Sequence, residues 1–230
     1  MGPYEKAWQA TRQRIDAAAR AAGRAPDSIH LLAVSKTFTA DAVRAVHALG
    51  QRAFGENYVQ EAEDKRAATG GLAGIEWHLI GPLQGNKARA AAGVFDWIET
   101  VDRPRIAERL SSARSTAASP LDVLVQVNAS GEATKHGVAP RAALELARYV
   151  ATLPHLRLRG VMGIPEPTDD VERLRAQFRT LRACFDACAR AGLRVDTLSM
   201  GMSDDLEIAI AEGATEVRVG RAIFGDRARR

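Results

Sequence analysis

The chain has 230 residues, 46% of them apolar, a length that an α/β barrel fills as one domain around a sizeable core. No apolar run reaches the span of a bilayer, and Met1 to Arg20 reads as a polar amphipathic helix without an apolar signal core, so a cytoplasmic protein is expected. The net charge of +4 suits a small anionic ligand such as a phosphate; its 27 arginines are dispersed, apart from Arg227, Arg229 and Arg230 in a basic tail, and match no zinc-finger or RNA-recognition spacing, which argues against specific nucleic-acid binding.

From the N-terminus, a helix over roughly residues 1–25 precedes an alternation of short apolar runs and helical patterns. Strands are expected at Ile29–Ser35, Arg52–Gly55, Ile75–Ile80, Asp96–Thr100, Asp122–Asn128, Leu158–Ile164, Val195–Ser199 and Glu216–Gly220. Helices are expected at Ala40–Leu49, Tyr58–Ala67, Gly85–Ala92, Arg103–Ser115, Pro140–Thr152, Asp169–Ala191 and Ser203–Glu212. Pro140 sits where a first-turn proline belongs, and Gly50, Gly192 and Gly213 follow helical runs. Eight evenly spaced strands, apolar enough to be buried on both faces, favour a single-domain (β/α)8 TIM barrel over a doubly wound open sheet. Cys184 and Cys188 share a helical face and read as small core residues.

Barrel active sites lie at the C-terminal ends of the strands, so the residues just past each strand carry the functional reading. Lys36 ends the first. Desolvation at an apolar strand mouth favours the neutral amine, and a neutral amine attacks carbonyls. The plainer alternative is a lysine that reaches out to solvent. After strand seven, Ser199-Met200-Gly201-Met202-Ser203 offers a permissive glycine turn and a serine placed to cap the next helix, which together form an anion site or an ordinary cap. After strand eight, Arg218 and Gly220 share a strand face. An inward Arg218 needs an acceptor or anionic partner, and Gly220 allows close backbone approach to a ligand. Asn57 ends strand two as a ligand contact or a cap. His78, between Trp77 and Leu79, reads as a hydrogen-bonded core histidine.

Four of these segments, Ala33-Val34-Ser35-Lys36-Thr37, Phe54 to Glu61, Trp77 to Gln84 and Ser199 to Asp205, resemble the pyridoxal phosphate homeostasis proteins, the YggS/PROSC-type family. The resemblance runs from about Leu31 to Gly225. It implies a barrel like the N-terminal domain of alanine racemase, with pyridoxal 5′-phosphate (PLP) held on Lys36 as an internal aldimine. It further implies that Ser203 and the backbone at Gly220 hold the phosphate, that Arg218 faces the ring nitrogen, and that Asn57, Ser199 and Gly201 belong to the binding site. Family members usually carry Thr where this chain has Arg221; the hydroxyl donor is lost, leaving the backbone N–H and an inward-folded guanidinium as phosphate donors. A guanidinium only donates hydrogen bonds, so Arg218 keeps the ring nitrogen unprotonated and weakens the ring as an electron sink, which fits a carrier.

The resemblance therefore implies an intracellular PLP buffer or carrier without a dedicated reaction, with PLP-dependent apoenzymes as recipients. A lone barrel is compatible with a monomer. The racemases it resembles add a β-domain and a catalytic tyrosine from a second subunit; no second domain is expected here after the barrel closes near Gly220. Two other readings stand beside it: a stand-alone PLP enzyme such as an amino-acid racemase, and an aldolase-type enzyme using Lys36 on a phosphorylated sugar.

Overall fold

In the computed structural model, which describes residues 2–70, 72–132 and 135–226, the chain closes into an eight-stranded parallel barrel in the order β1 to β8. The strands are β1 (His30–Val34), β2 (Ala53–Glu56), β3 (Glu76–Leu79), β4 (Trp97–Val101), β5 (Leu121–Val127), β6 (Leu156–Gly163), β7 (Thr197–Ser199) and β8 (Glu216–Val219). Each pairs in parallel with the next, and β1 pairs with β8 through the register His30 to Glu216 and Ala33 to Val219. All eight expected strands form, with no end moved by more than two residues.

The helices are α1 (Glu5–Ala21), α2 (Ala40–Ala48), α3 (Val59–Ala68), α4 (Ala88–Val94), α5 (Pro104–Ala113), α6 (Pro140–Thr152), α7 (Val171–Arg190), α8 (Leu206–Ala211) and α9 (Arg221–Phe224). Parallel strands require crossover connections, and each helix lays an apolar stripe on the outside of the barrel. In α7 that stripe is Leu174, Phe178, Leu181, Cys184 and Cys188, spaced three or four apart and all buried. Burial pushes the Cys184 thiol up to about 11, which suits a core residue. The helix after β8 is only one turn long. The gap it leaves is covered by α1, whose Ile15 and Ala19 are fully buried and whose C-terminal neighbour Arg24 donates to the carbonyls of Ile210 and Ala214.

Two expectations change, and a third lies outside the described residues. The helix expected from Gly85 opens as a 3-10 turn over Gly85–Lys87 before α4 begins. The helix expected from Ser203 starts only at Leu206, because the Asp205 carboxylate accepts from the Met202 N–H and closes a turn over 202–205. Ser203 therefore does not cap that helix. The arginines of the tail at 227, 229 and 230 lie outside the described residues.

Candidate binding site

A cavity of about 750 Å³ opens at the C-terminal mouth of the barrel. Lys36, Asn57, Ser203, Arg218, Gly220 and Arg221 all line it, joined by Phe38, Ile80, Gln126, Lys135, His136, Met202 and Asp204 among others. Six of the eight expected site residues thus meet on one wall system, although they come from four separate strand ends. Lys36 Nζ lies 3.3 Å from Asn57 Oδ1, which accepts from it.

Ser199 and Gly201 are placed elsewhere. Ser199 is fully buried in the barrel interior behind Arg218. Gly201 lies off the cavity with φ +94°, and a Cβ there would come within 2.5 Å of the Ala209 Cβ, so this glycine serves the turn into α8. Gly220 does border the cavity, but an added Cβ would press on the Val34 carbonyl at 3.2 Å; the glycine also serves close packing of β8 against β1.

Ser203 stands across the mouth from its expected role as a cap. Its Oγ accepts from the Ala222 N–H at 3.4 Å, linking the β7–α8 turn to the start of α9. Arg221 spans the same seam. Its guanidinium is held by the Asp204 carboxylate in an ion pair between two exposed side chains, so it reaches inward only by leaving that partner.

Arg218 is 4% exposed and is anchored by two acceptors. One η nitrogen donates to Ser199 Oγ at 2.7 Å, the other to the Gly163 carbonyl at 2.8 Å. The Ser199 hydroxyl donates to Glu99 Oε2 at 2.7 Å, and Glu99 Oε1 meets His78 Nδ1 at 2.8 Å. This row joins β3, β4, β7 and β8, strands on opposite sides of the barrel, so it crosses the lumen. Trp97 stacks on the His78 ring at 5.0 Å and packs with Leu124 and Met162 beside it.

The charges in this row balance one another. Burial disfavours the charged imidazole, but the carboxylates of Glu76 and Glu99, with Glu216 nearby, push His78 up to about 10. Burial likewise opposes Glu99 ionisation, yet the His78 hydrogen bond wins and holds its carboxyl below the usual range. Glu216 is driven the other way, to about 8, by burial and by the charge of Glu99. His78, Glu99 and Glu216 bring ligand atoms within 4.8 Å of one another, but the neighbouring Arg218 guanidinium, bonded to Ser199 beside Glu99, opposes a second cation there. The cluster is an ion network that supports Arg218. Sequence reading missed Glu99, Glu216, Lys135 and His136; lone acids inside strands and residues of a long β5–α6 loop carry no local motif.

The comparisons with known proteins agree with this geometry. The model of the alanine racemase N-terminal domain family matches residues 8–228. A pyridoxal phosphate homeostasis protein of Pseudomonas aeruginosa is 54% identical, covering 93% of this chain and 91% of that protein. One of Escherichia coli K12 is 52% identical over 94% and 93% of the two chains. Among solved structures, PipY of Synechococcus elongatus PCC7942 with PLP bound superposes with a TM-score of 0.81 at 37% identity, covering 92% of this chain and all of that one. Alanine racemase from Corynebacterium glutamicum, at 20% identity and a TM-score of 0.70, shares the fold over 95% of this chain and 62% of its own.

Proposed function

The chain belongs to the alanine racemase N-terminal domain family and, within it, to the pyridoxal phosphate homeostasis proteins, and we propose that it binds PLP covalently through Lys36 and serves PLP homeostasis as a buffer or carrier. The observation that carries this reading is the convergence on one cavity of a lysine amine, a buried guanidinium, and a serine hydroxyl beside a strand-end glycine. PLP presents an aldehyde, a ring nitrogen and a phosphate, and the donor set has a partner for each.

When bound, PLP supplies an aldehyde that condenses with an amine and a ring that withdraws electrons. Lys36 provides the amine, and Asn57 orients it by accepting its hydrogen bond. Arg218, held in place by the lumen network at Ser199 and Gly163, would meet the ring nitrogen; a guanidinium only donates, so that nitrogen would stay without a proton. Ser203 and the backbone at Gly220 would hold the phosphate. Arg221 contributes little while Asp204 engages it.

A carrier must let its ligand leave. The cavity is open at its mouth, and none of the described tyrosines, Tyr4, Tyr58 and Tyr149, lines it as a racemase-type base would. Loaded protein mixed with a PLP-requiring apoenzyme is expected to restore that enzyme, while amino acids incubated with the loaded protein in heavy water keep their α-protons. Rapid α-proton exchange would replace the carrier reading with that of a stand-alone PLP enzyme.

A further inference from the structure

Lys36 is flanked by a set of buried ionic contacts that the site itself does not use. The Lys65 side chain, on α3, is 7% exposed. Its ammonium donates to the Ser35 carbonyl at 2.7 Å, to Glu56 Oε1 at 2.7 Å and to Glu61 Oε1 at 2.8 Å, which uses all three of its protons. Ser35 Oγ donates to the same Glu56 oxygen at 2.6 Å, and the Ser35 N–H donates to the Gly55 carbonyl at 3.0 Å. On the far side of Lys36, the Thr37 N–H donates to Glu61 Oε1. Thr37 has φ +70°, a left-handed conformation that a β-branched residue adopts only when its surroundings impose it.

These contacts converge on Ser35 and Thr37, the residues directly before and after Lys36, from Lys65, the acids Glu56 and Glu61, and the Gly55 carbonyl. Buried ion clusters are costly, and an apolar side chain of Lys65's size would fill the same space more cheaply. The arrangement instead ties α3 and the end of β2 to one turn. Asn57, which meets the Lys36 amine, follows Glu56 directly, so the same clamp also sets the position of Lys36's acceptor. We infer that Lys65, through Glu56 and Glu61, is a positioning residue that holds the strained turn at residues 35–37 and thereby aims the Lys36 amine into the cavity. This rests on the reading of Lys36 as the PLP attachment point.

The clamp acts on the amine and its acceptor Asn57 and not on the phosphate end of the cavity, so it should separate two ligands that differ only at the aldehyde. PLP condenses with Lys36 and releases one water. Pyridoxine 5′-phosphate carries an alcohol there and fills the cavity without that bond. In Lys65→Met the apparent affinity for PLP, read by absorption titration, is expected to fall about tenfold, the cost of re-ordering about one loosened backbone residue on loading. Affinity for pyridoxine 5′-phosphate, read by calorimetry, should stay within about twofold. Glu61→Ala, at a partly exposed site that folding tolerates, should reproduce the split if Lys65→Met fails to fold. Glu61→Gln keeps an acceptor for the Thr37 N–H and should recover most of the loading. Equal loss for both ligands, or wild-type PLP affinity in both Lys65→Met and Glu61→Ala, would overturn the inference. Wild-type protein that binds neither ligand would instead remove the PLP reading on which it stands.

Discussion

On the proposed function, single residues decide how strongly this cavity would grip a phosphate. Arg221 is shared between two demands, the Asp204 carboxylate across the mouth and any anion inside it. Exposed ion pairs of this kind are worth little, about 0.2–1 kcal/mol, so the pair biases Arg221 outward without locking it. Arg221→Thr is therefore expected to leave PLP affinity within about threefold of wild type, whereas Ser203→Ala, which removes a hydroxyl facing the cavity, should weaken it about tenfold. Equilibrium titration of the two variants with PLP checks the order. Arg218 behaves differently because its partners are buried. Ser199→Ala strands one guanidinium N–H and one Glu99 oxygen, and should cost about 1–3 kcal/mol of stability by chemical denaturation. Ser199, expected in the binding site, lies off the cavity and anchors Arg218, which lines it. Nothing in Val195–Ser199 tells that serine's interior position from a cavity-facing one, since both lie on the same strand face one layer apart.

At the scale of elements, the barrel was readable because its strands are short, apolar and evenly spaced, and because boundary residues are honest signals. Helix α6 begins at Pro140, as its first-turn proline requires. Boundaries failed where a side chain competes with the helix. The Asp205 carboxylate holds the Met202 N–H and delays α8 by a turn, which frees Ser203 to face Ala222. Such capture of a local backbone donor is a common habit of Asp and hard to weigh against helix propensity from sequence. The role of α1 was equally hidden, since an amphipathic helix does not announce which face of a barrel it covers. Its burial of Ile15 against the seam beside α8 and α9 gives a direct expectation: Ile15→Ala should lower stability by about 2–5 kcal/mol, measured by urea unfolding. A loss below about 0.5 kcal/mol would mean that α1 is an accessory to the barrel and not a closing element.

Over the whole molecule, the buried ionisable groups set a pH dependence of one sign. Folded, Glu56 keeps its proton up to about 7 and Glu216 up to about 8, against an ordinary value of 4.5 for each. Desolvation is the leading cause in both. His78 holds its proton up to about 10 against an ordinary 6.5. A raised folded pKa contributes stability that is complete below the unfolded value and is lost as pH climbs through the folded one. The windows are therefore 4.5 to about 7, 4.5 to about 8, and 6.5 to about 10. Glu99, held low, adds stability in the opposite direction but only at the acid end. Thermal melts between about pH 5 and about pH 10 should show Tm falling steadily. A maximum near neutrality would mean that the lumen network is charged differently from this account.

The chemistry of the whole assembly comes down to one bond. The barrel places Lys36 at its mouth, the lumen network fixes Arg218, and Ser203 lines the same space, so the proposed function turns on whether an aldehyde is captured at Lys36 Nζ. The most direct measurement is borohydride reduction of the PLP-incubated protein followed by peptide mass mapping, with Lys36→Ala beside it. The account predicts one phosphopyridoxyl group on the peptide containing Lys36 and its loss from that position in the variant. Label confined to other lysines, or none at all in protein that folds normally, would contradict it.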